Sequence, residues 1–256
     1  MSFFRIIIPC YNGGERMAPM IESIKNQSCQ DYHLVIVDDQ STDDSLEIVK
    51  KYDPDKVLSM DHKGYAAGAR NEGMKHYKSD KYTLWLDDDD VLIDNDAFKK
   101  IKQCAIDNDY PDIIRFNWIA TRLSTGKRGN HHDRFPKVET PELICQEIYG
   151  GMPWSKAVKT SKCVEFPECL AIDDCYQHIM QCDVCETAAV IHDDLYEWLV
   201  RTDSLTTSKI NVFRDSGWYL EIAMLMRQKE HYNHDYARIA ADMRIDFIKR
   251  KYLGRM

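Results

Sequence analysis

Tyr82-Thr83-Leu84-Trp85-Leu86-Asp87-Asp88-Asp89-Asp90 runs from a short, largely apolar segment straight into four aspartates. The apolar part has the length of a strand and is too continuous for a one-faced sheet, so it reads as a strand covered on both sides. Four adjacent carboxylates repel one another unless a cation or hydrogen-bond donors compensate. In an extended chain alternate side chains share a face, which pairs Asp87 with Asp89 and turns Asp88 and Asp90 away. Two oxygen donors on one face form a partial cage for a hard divalent ion, which keeps waters and completes its shell with substrate phosphates. The bland alternative is a solvated acidic turn, with Asp90 or Asp94 capping the next helix.

The flanking sequence repeats the theme. Phe3–Pro9 is an apolar run ending in the turn cluster Cys10-Tyr11-Asn12-Gly13-Gly14, and Met17, Met20, Ile21 and Ile24 then mark one helix face. Leu34–Val37 is a second buried strand that stops at Asp38-Asp39, with Ser41 and Thr42 placed to cap a helix reaching about Tyr52. Val57–Met60 reads as a strand, Gly64–Tyr77 and Ala97–Ile106 as helices, and Ile113–Leu123 as a longer strand. Strands separated by helices argue for an α/β fold, with a mostly parallel central sheet covered on both sides. Ligands of such sheets bind at the carboxyl ends of the strands, so Asp38/Asp39 and Asp87–Asp90 are expected on one rim.

The second half is less regular. Ser124-Thr125-Gly126-Lys127 looks like a hairpin turn, and the polar segment to Lys137 like a mobile loop. Glu142–Tyr149 and Asp173–Gln181 read as helices, and Ala188–Ile191 and Leu195–Val200 as two strands. Helical patterns fill 214–253. The expected division is one domain over 1–212, in halves 1–110 and 111–212, then a helical appendage over 213–256.

Composition narrows the function classes. The 256 residues are 44% hydrophobic and 30% charged, an ordinary globular balance. The formal charge of −8 is a poor match to a nucleic-acid backbone, so general nucleic-acid binding is disfavoured. From Arg214 onward 9 basic and 6 acidic residues give +3, against −11 for what precedes. No run approaches the ~20 apolar residues that span a bilayer. The apolar start reads as a strand and not a signal peptide, and nine cysteines without secretion signals point to free thiols in a reducing, cytoplasmic setting. Cys182-Asp183-Val184-Cys185 has CxxC spacing, with buried thiols favoured over a zinc or redox site.

Four motifs occur in order: Ile6-Ile7-Ile8-Pro9-Cys10-Tyr11-Asn12, Val35-Ile36-Val37-Asp38-Asp39-Gln40-Ser41-Thr42-Asp43, Gly68-Ala69-Arg70-Asn71-Glu72-Gly73 and Leu84-Trp85-Leu86 with its four aspartates. Together they resemble the family 2 glycosyltransferases of the GT-A fold, strongly over roughly the first 110 residues and more weakly to about residue 206. The resemblance implies a nucleotide-sugar donor, usually a UDP-sugar, bound with Mn2+ or Mg2+. Pro9, Tyr11, Asn12 and the turn after them would form the nucleotide pocket, with Tyr11 against the base. Asp38 or Asp39 would accept from the uracil ring N–H, a donor that cytosine lacks. Arg70 matches an arginine near the diphosphate. Asp87 and Asp89 match the two acids of the family's DxD motif, with Asp89 the first choice for metal. The run of four leaves that register open by one residue, so Asp88 could take either role.

Inverting sugar transfer needs a carboxylate on the acceptor side, opposite the leaving diphosphate. Ala171-Ile172-Asp173-Asp174-Cys175-Tyr176 resembles the family's acidic pair, with Asp174 at the base position and Asp173 before it; the alternative is a pair that merely caps a helix. Asp193-Asp194 is a competing pair, and His192 could face the metal. Trp154 resembles the family's tryptophan before the acceptor pocket, as a sugar platform or a core residue, and Arg201 and Ser204 resemble residues that close over donor phosphates. The Gln-x-x-Arg-Trp motif and transmembrane helices of the processive synthases are missing, which implies single additions, to a glycan or lipid-linked glycan. The basic tail could touch an anionic membrane at the inner face or, more blandly, pack on the domain or form a homodimer contact. The rivals are a sugar-phosphate nucleotidyltransferase, for which Gly13-Gly14-Glu15-Arg16 is a poor triphosphate loop, and a non-catalytic nucleotide-sugar-binding module.

Overall fold

Alternation along β1 (Phe4–Cys10), all of it buried, sorts the molecule into two layers. Phe4, Ile6, Ile8 and Cys10 join an apolar cluster with α1 (Ala18–Lys25) and α4 (Ala97–Asp107). Ile7 points the other way, into a cluster with α3 (Tyr65–Met74) and the later helices. A Cβ on Gly73 of α3 would stand 2.5 Å from Ile7 Cγ2, so this glycine lets the helix lie directly on the strand. The computed structural model describes residues 1–130, 140, 142, 145, 152–168, 174–202, 212–228 and 231–250.

Among those residues one sheet runs in the order β3-β2-β1-β4-β8-β6-β9-β5. The strands are β2 (Tyr32–Asp38), β3 (Lys56–Ser59), β4 (Tyr82–Trp85), β5 (Val91–Leu92), β6 (Ile113–Arg122), β7 (Lys127–Asn130), β8 (Lys156–Lys159) and β9 (Ala188–Val200). The first four strands in that order are parallel, and β6 runs parallel to β9. By paired length the sheet is mostly parallel, as expected, while β8 is antiparallel to both β4 and β6, β5 to β9, and β7 to β6. Of these antiparallel strands β5 has two residues, and β7 and β8 carry no apolar run, so the sequence does not announce them. The two strands expected over 188–200 are one, with register shifts opposite Asn117, whose amide donates to His192 O at 2.8 Å. The hairpin turn at 122–127 is present, with Gly126 at φ +65°. The rest of the expected loop to Lys137, and all but two residues of the helix expected over Glu142–Tyr149, lie outside the described residues.

The chain turns back across β1 after β3, so β1 and β4 flank a topological switch point, where open α/β sheets leave a crevice. Pro9 is tolerated in this central strand because Leu86 N–H donates to Ile7 O, so odd β1 residues face β4, and β4 pairing ends at Ile7↔Trp85. Its missing N–H therefore falls where no ladder bond is required.

The C-terminal helices α6 (Val212–Gln228) and α7 (Asp235–Ile248) share the second apolar cluster through Ile222, Leu225, Ala237, Ala240, Ala241 and Ile245. Asp183, the last residue of α5 (Asp174–Asp183), accepts the backbone N–H groups of Asn233 and His234 at 2.9 Å and so anchors the start of α7. Arg244 and Glu221 form a bidentate pair, Nε–Oε1 2.8 Å and Nη2–Oε2 3.1 Å, with both residues buried. The outer face of α7 mixes Ile239 and Met243 with Asp235, Asp242 and Asp246, so no continuous basic face forms there. Among the described residues no helix is long and apolar enough to cross a membrane.

Candidate functional site

Two turns are stitched together above β1 and β2. Asn12, at φ +48°, donates its backbone N–H to Ser41 Oγ at 2.9 Å and accepts from Thr42 N–H at 2.8 Å through its side chain. Gly14 N–H donates to Ser45 Oγ at 2.9 Å. Asp38 is spent locally, both oxygens accepting from Ser41 N–H at 3.2 and 3.3 Å. Asp39 differs. Its Oδ1 accepts Gly64 N–H at 2.7 Å, while its buried Oδ2 receives no hydrogen bond. Lys63 Nζ stands 3.3 Å from that Oδ2, donates to Asp39 O at 3.0 Å, and lies 2.8 Å above the centre of the Tyr11 ring. Tyr11 is half exposed beside this group. The charge of Asp39 is thus balanced by Lys63, but the buried oxygen has no hydrogen bond, which a ligand's donor could supply.

The four aspartates take four different surroundings. Asp87 Oδ1 accepts from Arg70 Nη2 at 2.8 Å. Asp88 presses on the first turn: a Cβ on Gly13 would lie 2.7 Å from Asp88 Oδ2. Gly13 has ordinary helical dihedrals, so close approach and not backbone freedom asks for glycine there. Asp89 pairs with Arg201. Asp90 is buried and structural, accepting from the Tyr196 hydroxyl at 2.7 Å and Leu199 N–H at 2.8 Å of β9. Burial, and then the charge of Asp87, pushes the Asp88 carboxyl up to about 7 and that of Asp90 up to about 8.

Arg70 Nη1 also reaches Asp174 Oδ1, at 3.5 Å. One guanidinium thus touches the acid run and the first residue of α5, 104 positions away in sequence. Asp173 and Ser204 lie outside the described residues. Asp193 pairs with Lys100 of α4. Trp154 is 2% exposed; Tyr196 stacks on it at 4.5 Å and Trp118 meets it edge-on at 4.9 Å. Of the two readings of Trp154, a sugar platform or a core residue, this burial and stacking fit the core residue. Cys182 and Cys185 are buried free thiols, and among the described residues no three His, Cys, Asp or Glu side chains converge as a metal set. Sequence reasoning missed Lys63 and Tyr196. Lys63 carries no signal beyond preceding Gly64, and Tyr196 reads as an ordinary strand aromatic.

The donor chemistry suits a hard divalent ion all the same. Mg2+-type sites use one or two carboxylates and leave the remaining positions to water and substrate phosphate, so Asp87 and Asp89 suffice without a third protein ligand.

Comparison with known proteins places this geometry. Poly(ribitol-phosphate) beta-N-acetylglucosaminyltransferase TarP of Staphylococcus aureus is 38% identical over 99 residues, which cover 36% of this chain and 30% of TarP. WfaP of Escherichia coli, named a UDP-Glc:alpha-D-GlcNAc-diphosphoundecaprenol beta-1,3-glucosyltransferase, is 36% identical over 96 residues, covering 36% of this chain and 38% of WfaP. The chain thus spans well under half the length of these relatives. The crystal structure of S. aureus TarS 1–349 in complex with UDP-GlcNAc superposes with a TM-score of 0.79 at 20% identity, over 99% of this chain and 73% of that one, which shows the shared fold. The model of glycosyl transferase family 2 matches residues 5–163, and with the switch-point crevice it covers, this chain belongs to that family.

Proposed function

We propose that this chain is an inverting, metal-dependent glycosyltransferase that moves a single hexosyl or N-acetylhexosaminyl group from a UDP-sugar to a hydroxyl of a glycan acceptor. The observation that carries the reading is Arg70, which pairs with both Asp87 and Asp174. The buried Oδ2 of Asp39 supports the donor assignment, since a uracil ring N–H supplies the hydrogen bond that oxygen lacks. The names of TarP and WfaP and the UDP-GlcNAc complex of TarS support the choice of donor and, for WfaP, a lipid-linked acceptor near a membrane.

Asp87 and Asp89 would hold Mn2+ or Mg2+, which when bound stabilises the negative charge leaving on the diphosphate. Arg70 and Arg201 neutralise those carboxylates in this structure and are placed to turn to phosphate oxygens. Asp174 removes the proton of the acceptor hydroxyl. The freed oxygen forms a bond to the anomeric carbon while the bond from that carbon to the diphosphate oxygen breaks, its electron pair leaving with UDP. Attack opposite the leaving group inverts the anomeric centre. Asp174 and Arg201 are the described parts of this scheme that the second half of the chain contributes.

UDP release from a panel of UDP-sugars with Mn2+ and acceptor, and again with chelator, tests the reading. Asp174→Asn should keep donor binding and lose roughly 10²-fold or more in transfer, the range for a positioned base. Normal transfer by that variant would overturn the base assignment.

A further inference from the structure

We propose that Lys63 is a specificity-determining residue of the nucleotide pocket, donating to the C4 carbonyl of the uracil whose ring N–H Asp39 accepts. This rests on the uridine reading above and deepens it. The Lys63 ammonium is held beside a buried carboxylate oxygen that receives no hydrogen bond, at 3.3 Å, and over the half-exposed Tyr11 ring. An acceptor and a cationic donor therefore stand side by side against one aromatic face. Uracil presents the complementary pair, N3–H next to C4=O. Cytosine presents the reverse, a bare N3 next to an amine, so each of its groups meets a like partner.

Topology chooses the C4 side. Lys63 lies between β3 and α3, at the end of the sheet remote from β4 and Asp87. The ribose and diphosphate lead toward Asp87, so the base edge away from the sugar faces Lys63. That edge carries C4, and C2 lies beside the glycosidic nitrogen. The Gly64 N–H bond to Asp39 Oδ1, at 2.7 Å, fixes the carboxylate and leaves Oδ2 as the reading atom. Lys63 itself has a flexible stem and is 31% exposed, so an entering base can take the ammonium's place over Tyr11 while the ammonium stays beside Asp39.

Calorimetric binding of UDP and CDP to the full chain separates the roles. The wild type should prefer UDP. Lys63→Met keeps the stem and removes the donor; it should weaken UDP about tenfold, the size of a charge-assisted hydrogen bond, and leave CDP nearly unmoved. Lys63→Arg should restore most of the preference. The diphosphate is common to both ligands, so a general loss of positive charge would weaken both and leave their ratio intact. A Lys63→Met protein with the wild-type ratio overturns the proposal. If Asp39→Asn abolishes the preference and Lys63→Met does not, Lys63 alone is misassigned. A wild type without preference for UDP defeats the uridine reading and this proposal with it.

Discussion

Arg244→Met isolates a buried charge in the C-terminal helices. Glu221 is 1% exposed and its two oxygens are both held by the Arg244 guanidinium. Removing one partner of such a pair costs ~3–5 kcal/mol, because the other stays buried without compensation. At about 2–4 °C per kcal/mol for a chain of this size, the midpoint of thermal unfolding should fall by roughly 6–20 °C. The double variant Arg244→Met/Glu221→Leu should recover most of that loss, since an apolar pair of similar volume is near neutral. A pH arm sharpens the test. Burial already holds the Glu221 carboxyl above its ordinary value against the lowering effect of Arg244, and without Arg244 it rises further. A group whose folded pKa lies above its unfolded one stabilises fully below the unfolded value and loses that contribution as pH rises through the folded value. The deficit of Arg244→Met should therefore be smaller at pH 5 than at pH 8. Thermal melts of the single and double variants at both pH values decide the matter. A single variant no less stable than the double, or a deficit independent of pH, refutes the argument.

Gly73→Ala forces a methyl into Ile7 Cγ2, at 2.5 Å, and should cost ~1–3 kcal/mol by urea denaturation; a neutral result would mean that α3 does not seat on β1 as described. Trp154→Ala should cost ~3–5 kcal/mol of stability, while Trp154→Phe keeps acceptor KM near wild type; a selective rise of KM in the Phe variant would revive its role as a sugar platform. Burial pushes the Cys185 thiol up to about 12, so iodoacetamide at pH 8 should label it only on unfolding, and rapid native labelling would contradict its placement.

The first half of the site was legible because each rim residue follows an apolar strand of detectable length. Leu34–Val37 before Asp38-Asp39 and Tyr82–Leu86 before the aspartates place two acidic groups on one rim without any further information. The choice between neighbours was not legible. Asp38 and Asp39 are alike in sequence, and only the bonds from Ser41 and Gly64 distinguish the saturated carboxylate from the one with an open oxygen. The same holds for Asp90, whose fate depends on Tyr196 and Leu199, more than a hundred residues later. The two readings of Trp154 stayed open in the sequence, because aromatic stacking partners cannot be read from a local pattern. The strands β5, β7 and β8 escaped notice because β5 has two residues and the other two, Lys127–Asn130 and Lys156–Lys159, carry no apolar run.

The placement of β8 bears on how the polypeptide assembles during synthesis. Lys156–Lys159 inserts between β4 and β6, pairing Thr83 with Val158 at the centre of the sheet. Until that late segment leaves the ribosome, the first half of the chain displays the β4 edge at Tyr82 and Thr83 as an open edge able to recruit other nascent chains. A truncated product ending near residue 110 would thus be prone to self-association, and closing that edge ties completion of the first half of the sheet to arrival of the second.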